Sequence, residues 1–213
     1  MPWKKREQRY AQQLAQGIAA LGMQQDQHVS DQLLHYHALL HKWNQAFNLT
    51  AVRDPLEMID RHLLDSLSLL PYVEGKRVLD MGTGAGLPGI PLAICLPQTQ
   101  FVLLDSNGKK IRFVRQAMME LGLQNVEPVQ ARLEAYQPVE PFDLLISRAF
   151  TGLANMLKLI EHLVQPGSSL LAMKGKNLQQ ELATLPAGIE PELIRLPQTI
   201  STEAGSIVRI RFE

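Results

Sequence analysis

Asp80, Gly82, Gly84 and Gly86 lie between an apolar run, Arg77-Val78-Leu79, and a helix-like stretch that begins at Pro88 and carries Gly89. Glycines let the backbone turn sharply and let a ligand lie directly on the main chain. In open α/β sheets, ligands bind at the carboxyl ends of strands, which is where this turn falls. Gly84-x-Gly86-x-x-Gly89 formally matches a dinucleotide fingerprint, which sets a pyrophosphate on a helix N-terminus. The strand ends at Asp80, however, so the turn begins at Gly82. Counted from there, the third fingerprint glycine falls on Leu87. A tight turn that holds no ligand is the third alternative. Asp105 ends the next apolar run, roughly 20 residues after the turn, where a carboxylate accepts ribose hydroxyls. It supports a nucleoside ligand under either binding reading.

The form Asp-x-Gly-x-Gly-x-Gly resembles the first motif of the S-adenosylmethionine-dependent methyltransferases. The resemblance implies that the turn lies against the amino-acid and sulfonium part of that cofactor, with Asp80 near the positive charge. The exit of the third strand, Arg132-Leu133-Glu134, is then the place for an adenine ring. Methyl transfer from a sulfonium is an in-line displacement, so the protein mainly positions two reactants and excludes water. Acceptors differ in how the nucleophile is activated. Adenine-N6 and cytosine-N4 enzymes resemble one another in an Asn/Asp-Pro-Pro-aromatic motif after the fourth strand. This chain has Ser147-Arg148-Ala149-Phe150 there. Cytosine-C5 enzymes need a thiolate, and Cys95, in a helix, reads as inert core. An acceptor atom with a free lone pair is therefore expected, such as guanine N7 or a small-molecule nitrogen. Arg148, read as an unpaired charge ending an apolar strand, is the expected positioning residue for acceptor or phosphate. No general base is expected. Phe150 reads as core packing, with stacking on a base as the alternative.

Basic residues gather in three places. Lys109, Lys110, Arg112 and Arg115 share one helix, Lys174 and Lys176 end the fifth strand, and Lys4, Lys5, Arg6 and Arg9 open the chain. Together they form a candidate RNA-binding rim with salt-dependent affinity. His35, His37, His41 and His62 form no His-Glu-x-x-His motif, so no metal is expected.

Composition bounds the class. The chain has 213 residues, 46% hydrophobic and 20% charged, with no formal net charge. That is globular, neither disordered nor coated in basic residues. One cysteine excludes an internal disulfide framework. No apolar run is long enough for a membrane span, and the Gln-rich segment after the basic start is not a signal-peptide core, so a cytoplasmic protein is expected.

The elements that must position these residues divide near residue 75. Before it the pattern is helical: Ala11 to Leu21, a second helix capped by Ser30, and a third opened by Asp54-Pro55 and stopped before Pro71. After it, strands and helices alternate, with strands at 77–80, 101–105, 126–130, 142–147 and 169–174 and helices at 88–96, 109–121 and 153–164. Two late strands, at 192–196 and 207–212, suggest an antiparallel hairpin. The expected fold is α/β and Rossmann-like, a mostly parallel seven-stranded sheet with a C-terminal hairpin. Residues 1–75 form its N-terminal helical extension and residues 76–213 its methyltransferase domain.

Trp43-Asn44-x-x-x-Asn48-Leu49-Thr50, Arg61-His62-x-x-Asp65-Ser66, the Gly-rich turn through Ile90-Pro91, and Ile146-Ser147-Arg148-Ala149 together resemble the bacterial 16S ribosomal RNA methyltransferase G family, also called glucose-inhibited division protein B. The resemblance implies methylation of guanine N7 at position 527 of 16S rRNA, in the small subunit. Carried over by motif, cofactor contacts fall on Gly82 and Leu87, on Leu133 and Glu134, and on Arg148. A monomer acting without a metal is expected. The competing classes are an NAD-dependent oxidoreductase using the same turn and a non-catalytic RNA-binding protein.

Overall fold

A computed structural model describes residues 3–148, 150–175, 177–196 and 205–213, with side chains from Arg6 onward. Seven strands form one sheet: β1 (Arg77–Met81), β2 (Gln100–Asp105), β3 (Val126–Gln130), β4 (Leu144–Arg148), β5 (Ser169–Lys174), β6 (Glu192–Arg195) and β7 (Ser206–Arg211). Their order is β3-β2-β1-β4-β5-β7-β6. The first five are parallel, and β7 runs antiparallel between β5 and β6. The order in which strands are laid down reverses between β1 and β4, so the Gly-rich turn after β1 opens at the switch point of the sheet. The expected α/β architecture and its hairpin are both present.

Strands buried on both faces read as continuous apolar runs, and both faces here are covered. One apolar cluster joins Val78, Phe101, Leu103 and Ile146 of the sheet to Leu14, Leu33, Tyr36 and Leu63 of the N-terminal helices. The other lies under α7 (Leu153–Ile160), around Leu79, Leu145, Leu170 and Val208. The N-terminal helices therefore form one layer of the core.

Their boundaries differ from the sequence expectation. The first helix, α1, runs Trp3–Ala20 and starts well before Ala11. The Lys, Arg, Glu and Gln residues before Ala11 are strong helix formers, although they carry no apolar periodicity. The second, α2 (Gln27–Phe47), is capped by Asp26 and not by Ser30. Asp26 Oδ1 accepts from the amide of Val29 at 2.8 Å, and the Ser30 hydroxyl bonds back to the Asp26 carbonyl. The third helical region is broken into α3 (Pro55–Met58), a π-helical stretch (Ile59–Leu64) and α4 (Asp65–Leu67). π-Helical stretches often mark functional sites, and this one carries Arg61 and His62. The remaining helices are α5 (Gly89–Cys95), α6 (Gly108–Leu121) and α8 (Leu178–Leu182).

Candidate active site

Asp80 is fully buried. Its Oδ2 accepts from the Thr83 hydroxyl at 2.6 Å and from the Gly89 amide at 2.9 Å. Its bonded oxygen pins the turn to the start of α5 from inside, while Oδ1 is buried with no hydrogen-bond partner among the described residues. Desolvation pushes its carboxyl up to about 6, against the opposing pull of those two hydrogen bonds and of Arg148. The folded chain thus holds this proton more tightly than the unfolded one. The resulting stability is complete below about pH 4 and is lost as pH rises through about 6, a change of roughly 3 kcal/mol. Asp80→Asn has no such group to titrate. Urea denaturation at pH 4 and pH 7.5 should show the wild type losing more stability than the variant across that interval.

The turn itself needs glycine for two different reasons. Gly82, Gly84 and Gly86 all have positive φ, at 67°, 59° and 86°. A Cβ on Gly86 meets Ile90 Cδ1 at 2.4 Å, so that glycine serves packing. At Gly84 a Cβ meets nothing closer than 3.9 Å, and its amide donates to Asp105 Oδ2 at 3.0 Å. The Leu87 side chain is buried in the core, so any cofactor contact from it is limited to backbone. From the layer behind, the buried Tyr36 hydroxyl of α2 donates to the Ala85 carbonyl at 2.7 Å. Tyr36→Phe removes that anchor and should weaken cofactor binding severalfold by calorimetry, the scale of one neutral hydrogen bond.

In front of the turn lies a cavity of about 320 Å³, lined by Gly82, Leu104, Asp105, Ser106, Lys110, Ala131, Arg132, Leu133, Glu134 and Phe150. It unites the expected residues Gly82, Asp105, Leu133 and Glu134. Asp105 is mostly buried; besides the Gly84 amide it accepts from the Asn107 amide at 2.8 Å, and Lys110 Nζ stands 3.8 Å away. Lys110 therefore belongs to this cavity, while Lys109, Arg112 and Arg115 stay exposed along α6. Sequence reasoning placed Arg132 at the adenine and Lys110 among the RNA contacts, but missed Leu104, Ser106 and Ala131 as lining residues. Only their closeness to a strand end could have signalled them. Apolar Leu104 and Leu133 suit a purine face, and two carboxylates suit hydroxyl donors. These residues fit S-adenosylmethionine, and Gly84 leaves open space above the backbone.

Arg148 lines a second, adjoining cavity of about 500 Å³ with Thr50, Arg61, His62, Asp65, Phe150, Lys174 and Glu181 among its walls. The reading of Arg148 as unpaired is corrected. Its Nη1 donates to the Arg61 carbonyl at 2.7 Å and lies 3.4 Å from Asp65 Oδ2, which is 3% exposed. Sequence periodicity could not reveal this pair, because its partners are more than 80 residues apart. The motif around Asn44 builds the opposite wall. The buried Asn44 side chain donates to the Val52 carbonyl and accepts from the Thr50 amide, and the Thr50 hydroxyl pairs with His62 Nε2 at 2.8 Å. His62 is thus engaged by Thr50, and His37 Nε2 pairs with the Pro55 carbonyl at 2.7 Å. No cluster able to hold a metal ion occurs among the described residues.

Two further expectations change. Phe150 is 38% exposed and sits on Gly82 at the boundary shared by both cavities, so it is not core. Lys174 is buried and ion-paired with Glu181 at 2.8 Å, which withdraws it from an RNA-binding rim. Lys176 lies outside the described residues. Cys95 is half-buried, and desolvation pushes its thiol up to about 12. It should resist thiol-specific labelling at pH 8 until the chain is unfolded, as mass spectrometry of labelled protein will show.

The fold and the glycine-lined cavity at its switch point define a methyltransferase of the S-adenosylmethionine-dependent, Rossmann-like class. Among solved structures the chain is similar to the S-adenosylhomocysteine-bound methyltransferase PaMTH1 of Podospora anserina, with 16% identity, TM-score 0.57, and coverage of 86% of this chain and 88% of that one. It is also similar to the precorrin-6y C5,15-methyltransferase of Geobacter metallireducens, with 14% identity, TM-score 0.53, and coverage of 70% and 85%. The family model for rRNA small subunit methyltransferase G matches residues 29–204. The chain is 53% identical to the ribosomal RNA small subunit methyltransferase G of Nitrosococcus oceani over 177 residues, 83% of each chain. It is 49% identical to that of Shewanella amazonensis over 187 residues, 87% of this chain and 91% of that one. The chain belongs to the rRNA small subunit methyltransferase G family.

Proposed function

We propose that this chain transfers a methyl group from S-adenosylmethionine to N7 of a guanine in 16S rRNA, at position 527 by family resemblance. The observation that carries this reading is the pair of cavities meeting at Phe150, one lined by Gly82 and Asp105 and the other by Arg148 and Asp65. The cofactor supplies an already activated methyl group, whose C–S electron pair returns to sulfur. Guanine N7 brings its own lone pair to the new N–C bond, and no proton leaves. A general base is therefore unnecessary, in keeping with a site where residues position rather than deprotonate. Asp105 takes the ribose hydroxyls, Leu133 and Glu134 flank the adenine, and Gly82 and Gly84 face the amino-acid part. Arg148, held by Asp65, orients the acceptor base. The positive charge ends on guanine, beside carboxylates that favour it.

Lys109, Arg112 and Arg115 supply the exposed basic face for RNA phosphates. Residues 1–75 act as a wall of the acceptor cavity as well as an extension of the methyltransferase domain at 76–213, because Asp65 and Thr50 line that cavity. Action as a monomer is part of this reading. Among the described residues no helix is long and apolar enough to cross a membrane, and ribosomal RNA as substrate points to the cytoplasm. The test is mass spectrometry of 16S rRNA nucleosides after incubation of small-subunit particles with labelled S-adenosylmethionine. Label in 7-methylguanosine is the expected result; its absence defeats the reading.

A further inference from the structure

Guanine presents two adjacent donors, N1–H and the 2-amino group, on the edge that adenine meets with a bare N1 lone pair. A carboxylate in the acceptor cavity could distinguish the two bases. Two carboxylates line that cavity, Asp65 and Glu181. Asp65 is almost fully buried and engaged with Arg148. Glu181 is arranged differently. Its Oε2 accepts from the Leu153 amide at 2.9 Å and from Lys174 Nζ at 2.8 Å, while its side chain remains 24% exposed. Oε1 has no hydrogen-bond partner among the described residues. One oxygen held by two donors fixes the orientation of the carboxyl group, and the other keeps both lone pairs. Lys174 in turn holds the Thr151 carbonyl, next to Phe150, whose exposed ring offers a stacking face at the boundary of the two cavities.

We infer that Glu181 is the residue that selects guanine. Its Oε1 accepts from N1–H and the 2-amino group of an acceptor base stacked on Phe150, leaving N7 free. This rests on the guanine reading above and adds a specificity residue to it. Adenine would set its N1 lone pair against the carboxylate. Lys174 holds Glu181 in this orientation, which gives that buried lysine a purpose other than phosphate binding.

The test compares small-subunit particles reconstituted with guanine or with inosine, which lacks the 2-amino group, at the target position. The wild type should prefer guanine by roughly tenfold or more in transfer rate, the scale of a base-edge contact. The same preference should appear in equilibrium binding of the particles without any methyl donor. In Glu181→Gln the amide oxygen still accepts from Leu153 and Lys174, but an NH2 group replaces the free oxygen. The variant should bind S-adenosylmethionine normally by calorimetry, methylate guanine tenfold or more slowly, and lose the preference over inosine. Equal use of guanine and inosine by the wild type overturns the inference whether or not the variant folds. So does an undiminished preference in the variant. A wild type that methylates neither particle defeats the underlying reading instead.

Discussion

Gly82→Asp should abolish measurable S-adenosylmethionine binding, raising Kd at least about 100-fold, or roughly 3 kcal/mol. Two effects add. Gly82 has φ of 67°, and a Cβ there falls 2.5 Å from Phe150 Cδ2. The Phe150 ring must shift to admit it, and that ring lines both cavities. The new carboxylate also joins Asp105 and Glu134 at the wall of a cavity of only about 320 Å³, against the carboxylate end of the cofactor. Gly122 is the matched control. Its φ is 65°, it caps α6, and a Cβ there meets nothing within 4 Å. Gly122→Asp should cost about 1–2 kcal/mol of stability for the left-handed backbone and leave cofactor affinity unchanged. Calorimetric titration of both variants separates local strain from the loss of the cavity. Normal binding by Gly82→Asp would show that the cofactor lies elsewhere.

Arg148→Ala should reduce methyl transfer at least 100-fold while cofactor affinity changes less than threefold. Arg148 lines the acceptor cavity and is absent from the walls of the cofactor cavity, so the two readouts should part. The loss has a structural share, because removing a cation from the side of a buried carboxylate is costly. Arg148→Lys isolates the geometric share: it keeps the charge but lacks the planar fork that reaches the Arg61 carbonyl, Asp65 and a base together. Its melting temperature should stay near that of the wild type while turnover remains at least tenfold down. Equal losses of transfer and of S-adenosylmethionine binding in Arg148→Ala would move this arginine into the cofactor site.

The chain's residue types and order determined the sheet, its hairpin, the turn and the four residues Gly82, Asp105, Leu133 and Glu134 that meet around one cavity. Each of these depends on local periodicity or on a place at a strand's carboxyl end, and both can be read within a short window. Folding alone decided the partners of Arg148, the burial of Lys174, the exposure of Phe150 and the hydrogen bonds of Asp80. Each of the first three depends on contact with a segment distant in sequence, such as Arg148 with Arg61 and Asp65, or Phe150 with Gly82. A charged residue at a strand end has the same spacing whether or not a carboxylate waits across a helix. Only the packed π-helical stretch and its neighbours choose between them, because they set which charges lose their water and must find a partner.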